Sequence, residues 1–396
     1  MSAARPFEAT TENEFLADAI RERIEAEGRI TFREFMALCL YHPQHGYYFS
    51  RRQAMGRSAD YLTSPEVHPL FGALVARQLI EMWEAMGCPS SFDVLEMGPG
   101  SGLLARDILV AARRSEPLFF EALRYRLLET SPRQAERQRD TLEGLDLPAG
   151  KVEWVDGDLP AAGVRGCILS NELVDSFPVH RVALAGGELR EVYVSWRGAA
   201  FVEELGEPST PALNEYFKRL GLLPGEGCRA EVNLEALAWV RQVATALDRG
   251  FVLTVDYGHL APELYAPWRR DGTLLCFYRH SPSHDPYRRI GRQDMTAHVD
   301  FTSLIEEGRR QGLEMLGLTT QSRFLAALGI GEALRLDEGD ADMEEHFARR
   351  RAAQELTDAA GLGRIRVLAQ SKGVADCRLA GLAGSEPVAA ASPAAP

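Results

Sequence analysis

Three polar side chains that could bind and orient a cation come directly after one apolar segment of the sequence. The segment is residues 166–170, and the side chains are Asn171, Glu172 and Asp175. Two carboxylate oxygens can bind a guanidinium through parallel hydrogen bonds. If residues 166–170 form a strand of an open α/β sheet, these side chains lie at its carboxyl end, where such sheets bind ligands. A simpler role stays open, in which Asn171 caps the next helix and Glu172 lies in its first turn.

A second segment is suited to close approach between a ligand and the backbone. Residues 92–97 predict a short buried strand with Glu96 near its end. Three glycines follow at alternate positions, Gly98, Gly100 and Gly102. A helix predicted over residues 103–114 would point its first amides at a ligand on this turn. A dinucleotide fingerprint would need a glycine at the sixth position, which is Leu103 here, so the spacing disfavours an NAD-linked oxidoreductase.

Two further predicted strands also end in acids. Residues 125–129 end in Glu129, which could accept hydrogen bonds from both hydroxyls of a ribose or could cap the helix that follows. Residues 151–155 are followed by Asp156 and Asp158. The acids of successive strands therefore fall at one predicted edge of a sheet.

The elements that must hold these residues alternate between strands and helices, which predicts an α/β fold with a Rossmann-like sheet. Strands are expected at residues 92–97, 125–129, 151–155, 166–170 and 250–255. Residues 179–205 instead alternate apolar and polar side chains, and indicate a β-meander inserted into the sheet domain. Near the N-terminus the spacing predicts helices, one of them begun by the capping box Thr31-x-x-Glu34.

These patterns predict six segments along the chain. In order they are a disordered N-terminus, an N-terminal helical region, a cofactor-binding core, an inserted β-rich and helical subdomain that covers the substrate, the second half of the core, and a disordered Ala/Pro-rich tail. Their expected boundaries are 1–11, 12–90, 91–178, 179–249, 250–372 and 383–396.

Composition bounds the setting of the protein. The 57 acidic residues outnumber the 44 basic ones, and the net charge of −13 disfavours nonspecific nucleic-acid binding. Six scattered cysteines and isolated histidine pairs predict neither a disulfide framework nor a metal site. No apolar run is long enough for a membrane span, and the acidic N-terminal residues are unlike a signal or transit peptide. We therefore expect a soluble cytoplasmic protein, with a homodimer as one possible assembly.

Several motifs occur together in one order along the chain, and with them the sequence closely resembles the MidA/NDUFAF7 family of S-adenosylmethionine (SAM) dependent methyltransferases. The resemblance covers about residues 12–372. It rests on Tyr47-Tyr48, Thr63-Ser-Pro-Glu66, Phe71-Gly72, Glu96-Met-Gly-Pro-Gly-Ser-Gly102, Asn171-Glu172-x-x-Asp175, Asp256-Tyr-Gly258 and Asp294-x-Thr-Ala-His-Val-Asp-Phe301.

The resemblance implies a class I methyltransferase fold whose cofactor is SAM. The glycine turn and Glu96 would then pass under the methionine part of the cofactor. Glu129 would bind its ribose, and Asp158 would contact the adenine amine. The residues implied for cofactor binding are Glu96, Gly98, Gly100, Gly102, Glu129 and Asp158.

The resemblance also implies an acceptor, namely an arginine of a protein substrate, which in a mitochondrial member belongs to a complex I subunit. Glu172 and Asp175, with Asn171, would bind and orient its guanidinium. Where the family often has Asp-Ala-Leu-Pro, this chain has Asp175-Ser-Phe-Pro178, which changes the expected acceptor pocket. Two alternatives stay open: a small-molecule O- or N-methyltransferase, and a SAM-binding assembly factor with little turnover.

Overall fold

The computed structural model describes residues 13–49, 62–157, 159–332, 334–335, 343–374 and 377–385. Three sequence predictions fall wholly or mainly outside these ranges: the disordered N-terminus, Asp158, and most of the C-terminal tail.

Within the described ranges the α-helices are α1 (Glu14–Glu27), α2 (Phe32–Tyr41), α3 (Ser64–Val67), α4 (Leu70–Ala85), α5 (Leu103–Ser115), α6 (Pro117–Ala122), α7 (Pro132–Leu142), α8 (Ala212–Leu220), α9 (Leu234–Ala246), α10 (Ala261–Leu264), α11 (Phe301–Arg310), α12 (Gln321–Ala327) and α13 (Met343–Thr357). The strands are β1 (Ile30–Thr31), β2 (Phe92–Met97), β3 (Leu123–Leu128), β4 (Val152–Val155), β5 (Val164–Asn171), β6 (His180–Ala185), β7 (Glu188–Arg197), β8 (Ala200–Gly206), β9 (Arg229–Val232), β10 (Leu247–Asp256), β11 (Gly258–His259), β12 (Leu275–Tyr278), β13 (Ser281–Ser283), β14 (Asp294–Thr296), β15 (Val299–Asp300), β16 (Glu314–Thr320) and β17 (Arg366–Lys372).

A seven-stranded sheet organises the larger of two compact units, which comprises the described residues within 62–175, 235–264 and 298–385. Its order is β16-β17-β10-β5-β2-β3-β4. The strands from β10 to β4 are parallel, whereas β17 runs antiparallel to both of its neighbours. The order reverses between β2 and β5, so the carboxyl ends of these two strands form the crevice where such sheets bind ligands. The predicted α/β fold is therefore confirmed.

Apolar strands and one face of the flanking helices produce the core of this unit. Every residue of β2 is buried, as expected for a central strand of a parallel sheet covered on both sides. The aromatic side chains of Phe92, Phe119, Tyr125 and Phe251 are almost completely buried in this core. The chain before β2 forms two helices, α3 and α4, which are separated at His68 and Pro69.

The other compact unit comprises residues 13–49, 176–234 and 265–297. Its five-stranded antiparallel sheet pairs the predicted meander β6–β8 with β1 and β9. The capping box at the start of α2 is present, because Thr31 Oγ1 accepts from the Glu34 amide while the Glu34 carboxylate accepts from the Thr31 amide. Residues 265–297, which the sequence placed with the second half of the core, cluster in this unit instead.

We expect Gly250→Ala to destabilise the protein strongly. Gly250 has a φ of +137°, and a Cβ there would lie 1.9 Å from the carbonyl oxygen of Gly166 on the paired strand. Backbone strain and overpacking each cost about 1–3 kcal/mol, so the free energy of unfolding should fall by about 3 kcal/mol or more. Gly187→Ala is the matched control, since Gly187 has a φ of +78° but open space around it. Urea denaturation measures the free energy of unfolding of each variant. Equal losses in the two variants would contradict the packing argument.

Candidate active site

The glycine turn after β2 has the backbone that the sequence predicts. Gly98, Gly100 and Gly102 have φ values of +64°, +54° and +78°, which only glycine adopts without strain. Gly102 is also the N-cap of α5, so the first amides of that helix open toward the turn. A Cβ on Gly98 would lie 2.8 Å from the Leu173 side chain, so the turn lies against the segment that follows β5.

Glu96 is a buried acid near the end of β2, directly before the glycine turn. It is 2% exposed, and its Oε2 accepts a hydrogen bond of 2.7 Å from the Tyr125 hydroxyl on β3. Burial raises the pKa of Glu96 to about 8, and the Tyr125 bond lowers it by a smaller amount. The carboxyl group is therefore largely protonated at neutral pH. A direct contact between Glu96 and a cofactor stays a prediction.

Glu129 lies at the end of β3 and is held on both of its carboxylate oxygens. Oε1 accepts from the Ser131 amide at 2.8 Å, and Oε2 accepts from Gln138 Nε2 at 2.9 Å. Burial raises the pKa of Glu129, and the bonds from Ser131 and Gln138 oppose that shift. The cap of α7 is Ser131, whose hydroxyl accepts from the Gln134 amide. Glu129 is thus fixed in orientation without capping the helix itself.

Asn171 and Glu172 form the next wall of the crevice, directly after β5. The φ of Glu172 is +50°, a left-handed conformation that non-glycine residues adopt mainly at constrained sites. Its amide donates to Val255 O at 2.8 Å, and its Oε1 accepts from Asn171 Nδ2 at 3.1 Å and from the Ser64 amide at 3.3 Å. Burial raises the pKa of Glu172 to about 8, with smaller contributions from Asp256 and Glu66.

Asn171 carries a buried acceptor that is available to a ligand. Its Oδ1 has no hydrogen-bond partner among the described residues, although Nδ2 is paired with Glu172. A buried polar atom without a partner is costly in a folded protein and indicates a ligand or water there. The neighbouring Glu172 carboxyl group and this amide oxygen together form a set of hydrogen-bond acceptors.

Asp256 is the residue that sequence reasoning quoted only as part of a motif and did not place in the site. It is completely buried at the end of β10. Its Oδ2 accepts from the backbone amides of Leu173, Val174 and Asp175 at 3.2, 2.8 and 3.4 Å. Its Oδ1 accepts from the Tyr257 amide at 2.8 Å. The carboxylate of Asp256, and not Asn171, therefore caps the 3-10 turn of residues 174–176 and fixes the segment that carries Asp175.

Tyr257 extends the same wall, and its neighbours are polar. Burial raises the pKa of Tyr257, and the charges of Glu172 and Asp175 raise it further, whereas Arg364 opposes the shift. The Arg364 guanidinium lies 5.8 Å from the Tyr257 ring centroid, and the His298 ring stacks on Tyr257 at 6.5 Å. In the described part of the chain, no group of three or more His, Cys, Asp or Glu side chains is arranged to hold a metal ion.

These features define a class of protein. The glycine turn after β2 and the polar wall after β5 flank the switch point of a Rossmann-like sheet, which is the place for a nucleoside ligand. The model of a family of S-adenosyl-L-methionine-dependent methyltransferases matches residues 74–319. The chain belongs to this family, it is a methyltransferase, and its cofactor is SAM.

Similar proteins support the family over nearly the whole chain. A protein arginine methyltransferase NDUFAF7 homolog of Drosophila melanogaster is 32% identical, over 91% of this chain and 85% of the relative. The human protein arginine methyltransferase NDUFAF7 is 30% identical, over 79% of this chain and 73% of the relative. A Burkholderia thailandensis protein crystallised with S-adenosyl-homocysteine is 34% identical, with a TM-score of 0.86 over 97% of this chain and 98% of that chain.

The predicted cytoplasmic location is wrong on this comparison. The curated relatives, including those of Drosophila melanogaster, Rattus norvegicus and Homo sapiens, are named as mitochondrial proteins. Composition and charge describe how a surface interacts with water, and they do not encode the compartment that holds it. Among the described residues, no helix is both long and apolar enough to cross a bilayer.

Proposed function

We propose that this methyltransferase transfers the methyl group of SAM to an arginine of a protein substrate, with Glu172 and Asp175 binding the guanidinium. The observation that carries the proposal is the cluster of acceptors after β5. It combines the half-buried Glu172 carboxylate with the buried, unpartnered Oδ1 of Asn171. A guanidinium offers five N–H donors and no acceptor, so it complements this set of groups.

The cofactor is proposed to lie along the glycine turn, with its ribose on Glu129 and its methionine end near Gly98 and Gly100. Glu96 stays in the set of cofactor-binding residues through its position under the turn. Asp158 stays a candidate for the adenine amine on its sequence position alone. SAM supplies an electrophilic methyl group on a sulfonium, and the residues of this chain bind and orient both partners.

The transfer needs a nitrogen lone pair in line with the sulfur–methyl bond, so positioning supplies much of the rate. The guanidinium is protonated at neutral pH and its lone pairs are delocalised. Carboxylates on two of its nitrogens concentrate the positive charge there and leave the third more nucleophilic. As the nitrogen–methyl bond forms, the sulfur–methyl bond would break with its electron pair staying on sulfur, which gives S-adenosyl-homocysteine. The methylated nitrogen would release one proton to solvent.

The names of the relatives support arginine as the acceptor, since they are described as protein arginine methyltransferases. Their mitochondrial names make an acceptor in a respiratory assembly, such as a complex I subunit, the leading candidate. The acidic surface of this chain favours a basic protein segment over nucleic acid as the partner. A homodimer stays a proposal.

Incubation with methyl-labelled SAM and a lysate tests the proposed acceptor. We expect label in protein, and hydrolysis of that protein should release labelled methylarginine. Label confined to small molecules would favour the O- or N-methyltransferase alternative. Cofactor binding by calorimetry without any label transfer would favour an assembly factor. A heat-inactivated sample of the same protein gives the background.

A further inference from the structure

Gln138 lies at the centre of three hydrogen bonds that join separate parts of the proposed cofactor site. Its Nε2 donates to Gly100 O in the glycine turn at 3.0 Å and to Glu129 Oε2 at 2.9 Å. Its Oε1 accepts from Trp154 Nε1 on β4 at 3.0 Å. We propose that Gln138 is a positioning residue, which sets SAM affinity by orienting Glu129 toward the ribose. This inference rests on the proposed ribose role of Glu129.

The three partners determine which way the amide of Gln138 faces. Both hydrogens of Nε2 face oxygen acceptors, whereas Oε1 faces the one donor among these three partners, the indole N–H of Trp154. The opposite orientation would direct N–H toward N–H and oxygen toward two oxygens. Gln138 is completely buried, so water cannot replace any bond that is lost.

Helix α7 packs closely against the glycine turn, which fixes the position of Gln138. A Cβ on Gly102 would lie 3.2 Å from the Cα of Gln138, so the helix lies directly against the glycine turn. One turn further along α7, Thr141 Oγ1 donates to Ser101 O at 2.7 Å. Two side chains of one rigid helix therefore hold consecutive carbonyl groups of the turn. Gln138 also fixes the acid at the end of the neighbouring strand.

The bonds of Glu129 explain why its orientation matters for a ribose. A carboxylate binds two adjacent hydroxyls only when both of its oxygens face them at once. Ser131 holds Oε1 and Gln138 holds Oε2, so together they fix the plane of the group. Without Gln138, the half-buried carboxylate of Glu129 would become ordered only when the cofactor binds. The entropy lost in that ordering would then weaken the cofactor affinity.

The test measures S-adenosyl-homocysteine affinity by calorimetry in a double-mutant cycle of Gln138→Met and Glu129→Ala. Gln138→Met keeps the size of the side chain and removes all three bonds. We expect it to weaken affinity about tenfold or more in the wild-type background. In the Glu129→Ala background the same change should weaken affinity by less than about threefold, because Gln138 then has no carboxylate to orient. Equal factors in both backgrounds would overturn the inference.

Two further variants keep the test decisive. Gln138→Glu has the same shape and can still accept from Trp154, but burial beside the Glu129 carboxylate favours its protonated form. That form keeps one O–H donor for Glu129 and loses the bond to Gly100 O, so affinity should fall less than in Gln138→Met. Trp154→Phe removes only the indole bond, and its affinity should stay within about threefold of wild type. A Gln138→Glu protein that binds S-adenosyl-homocysteine no better than Gln138→Met would contradict the positioning role. If Glu129→Ala alone left affinity unchanged, the ribose assignment in the proposed function would fail instead.

Discussion

Replacing Glu172 with glutamine should lower the acceptor kcat/KM by about 100-fold or more, and Asp175→Asn should have an effect in the same direction. Removing one preorganised electrostatic group from an active site costs on the order of 100- to 1000-fold. Glutamine keeps the shape of Glu172 and can still accept from the Ser64 amide, so the loss would report the missing charge. Initial rates of label transfer to the protein acceptor measure the effect, with Glu84→Gln on the exposed side of α4 as the control.

The pH dependence of the same rate shows whether ionisation of Glu172 raises or lowers kcat/KM for the acceptor. Because burial raises the pKa of Glu172 from 4.5 to about 8, the empty site holds a proton there at neutral pH. A neutral carboxyl attracts a guanidinium less, so kcat/KM should rise with pH up to about 8 and then level off. The Glu172→Gln variant should lack this rise. A wild-type profile that is flat between pH 6 and about 8 would contradict the assignment.

The raised pKa also links Glu172 to stability. Between pH 4.5 and about 8 the folded state binds the proton that the unfolded state has lost, so this residue makes the protein less stable as the pH rises through that window. Glu172 therefore lowers stability in two ways, through a buried carboxylate and through a left-handed backbone conformation. Both features indicate that this position serves binding and not stability.

The sequence predicts the parts of the site that depend on local pattern. Buried strands followed by glycine or acidic residues can be read directly, and a parallel sheet brings their carboxyl ends together whatever the loops do. For that reason the sequence predicts that the glycine turn and Glu172 lie at the carboxyl ends of neighbouring strands. The capping box of α2 was equally readable, since all of its groups lie within four residues.

The parts that the sequence does not reveal depend on contacts between distant residues. Gln138 looks like any polar residue of an amphipathic helix, and only the packing of α7 on the glycine turn buries it. Asp256 follows an apolar strand as Glu172 does, but its position in the sequence does not indicate which groups its side chain binds. Its carboxylate accepts hydrogen bonds from backbone amides that lie more than 80 residues earlier in the chain. Such pairings are set by the register of β10 against β5 and not by spacing along the chain.

Asp256→Ala should strongly lower the rate of methyl transfer while leaving much of the cofactor affinity. The carboxylate accepts four backbone N–H bonds, three of them from the segment that carries Asp175. Alanine would leave these buried donors without partners, at a cost of about 1–3 kcal/mol for each group that water cannot reach. We expect kcat/KM for the acceptor to fall by more than about 100-fold and the thermal midpoint to drop by several degrees.

Asp256→Asn separates the charge of the group from its role as an acceptor. The amide oxygen can still accept from Leu173, Val174 and Asp175, but its NH₂ must then face the Tyr257 amide, which is itself a donor. We therefore expect a kcat/KM for the acceptor between that of wild type and that of Asp256→Ala. The affinity for S-adenosyl-homocysteine should stay within about threefold of wild type. If both variants lost cofactor affinity in proportion to kcat/KM, Asp256 would serve the cofactor side of the crevice. A selective loss of acceptor turnover would instead mean that the segment after β5 determines where the guanidinium binds, and that Asp256 holds it there.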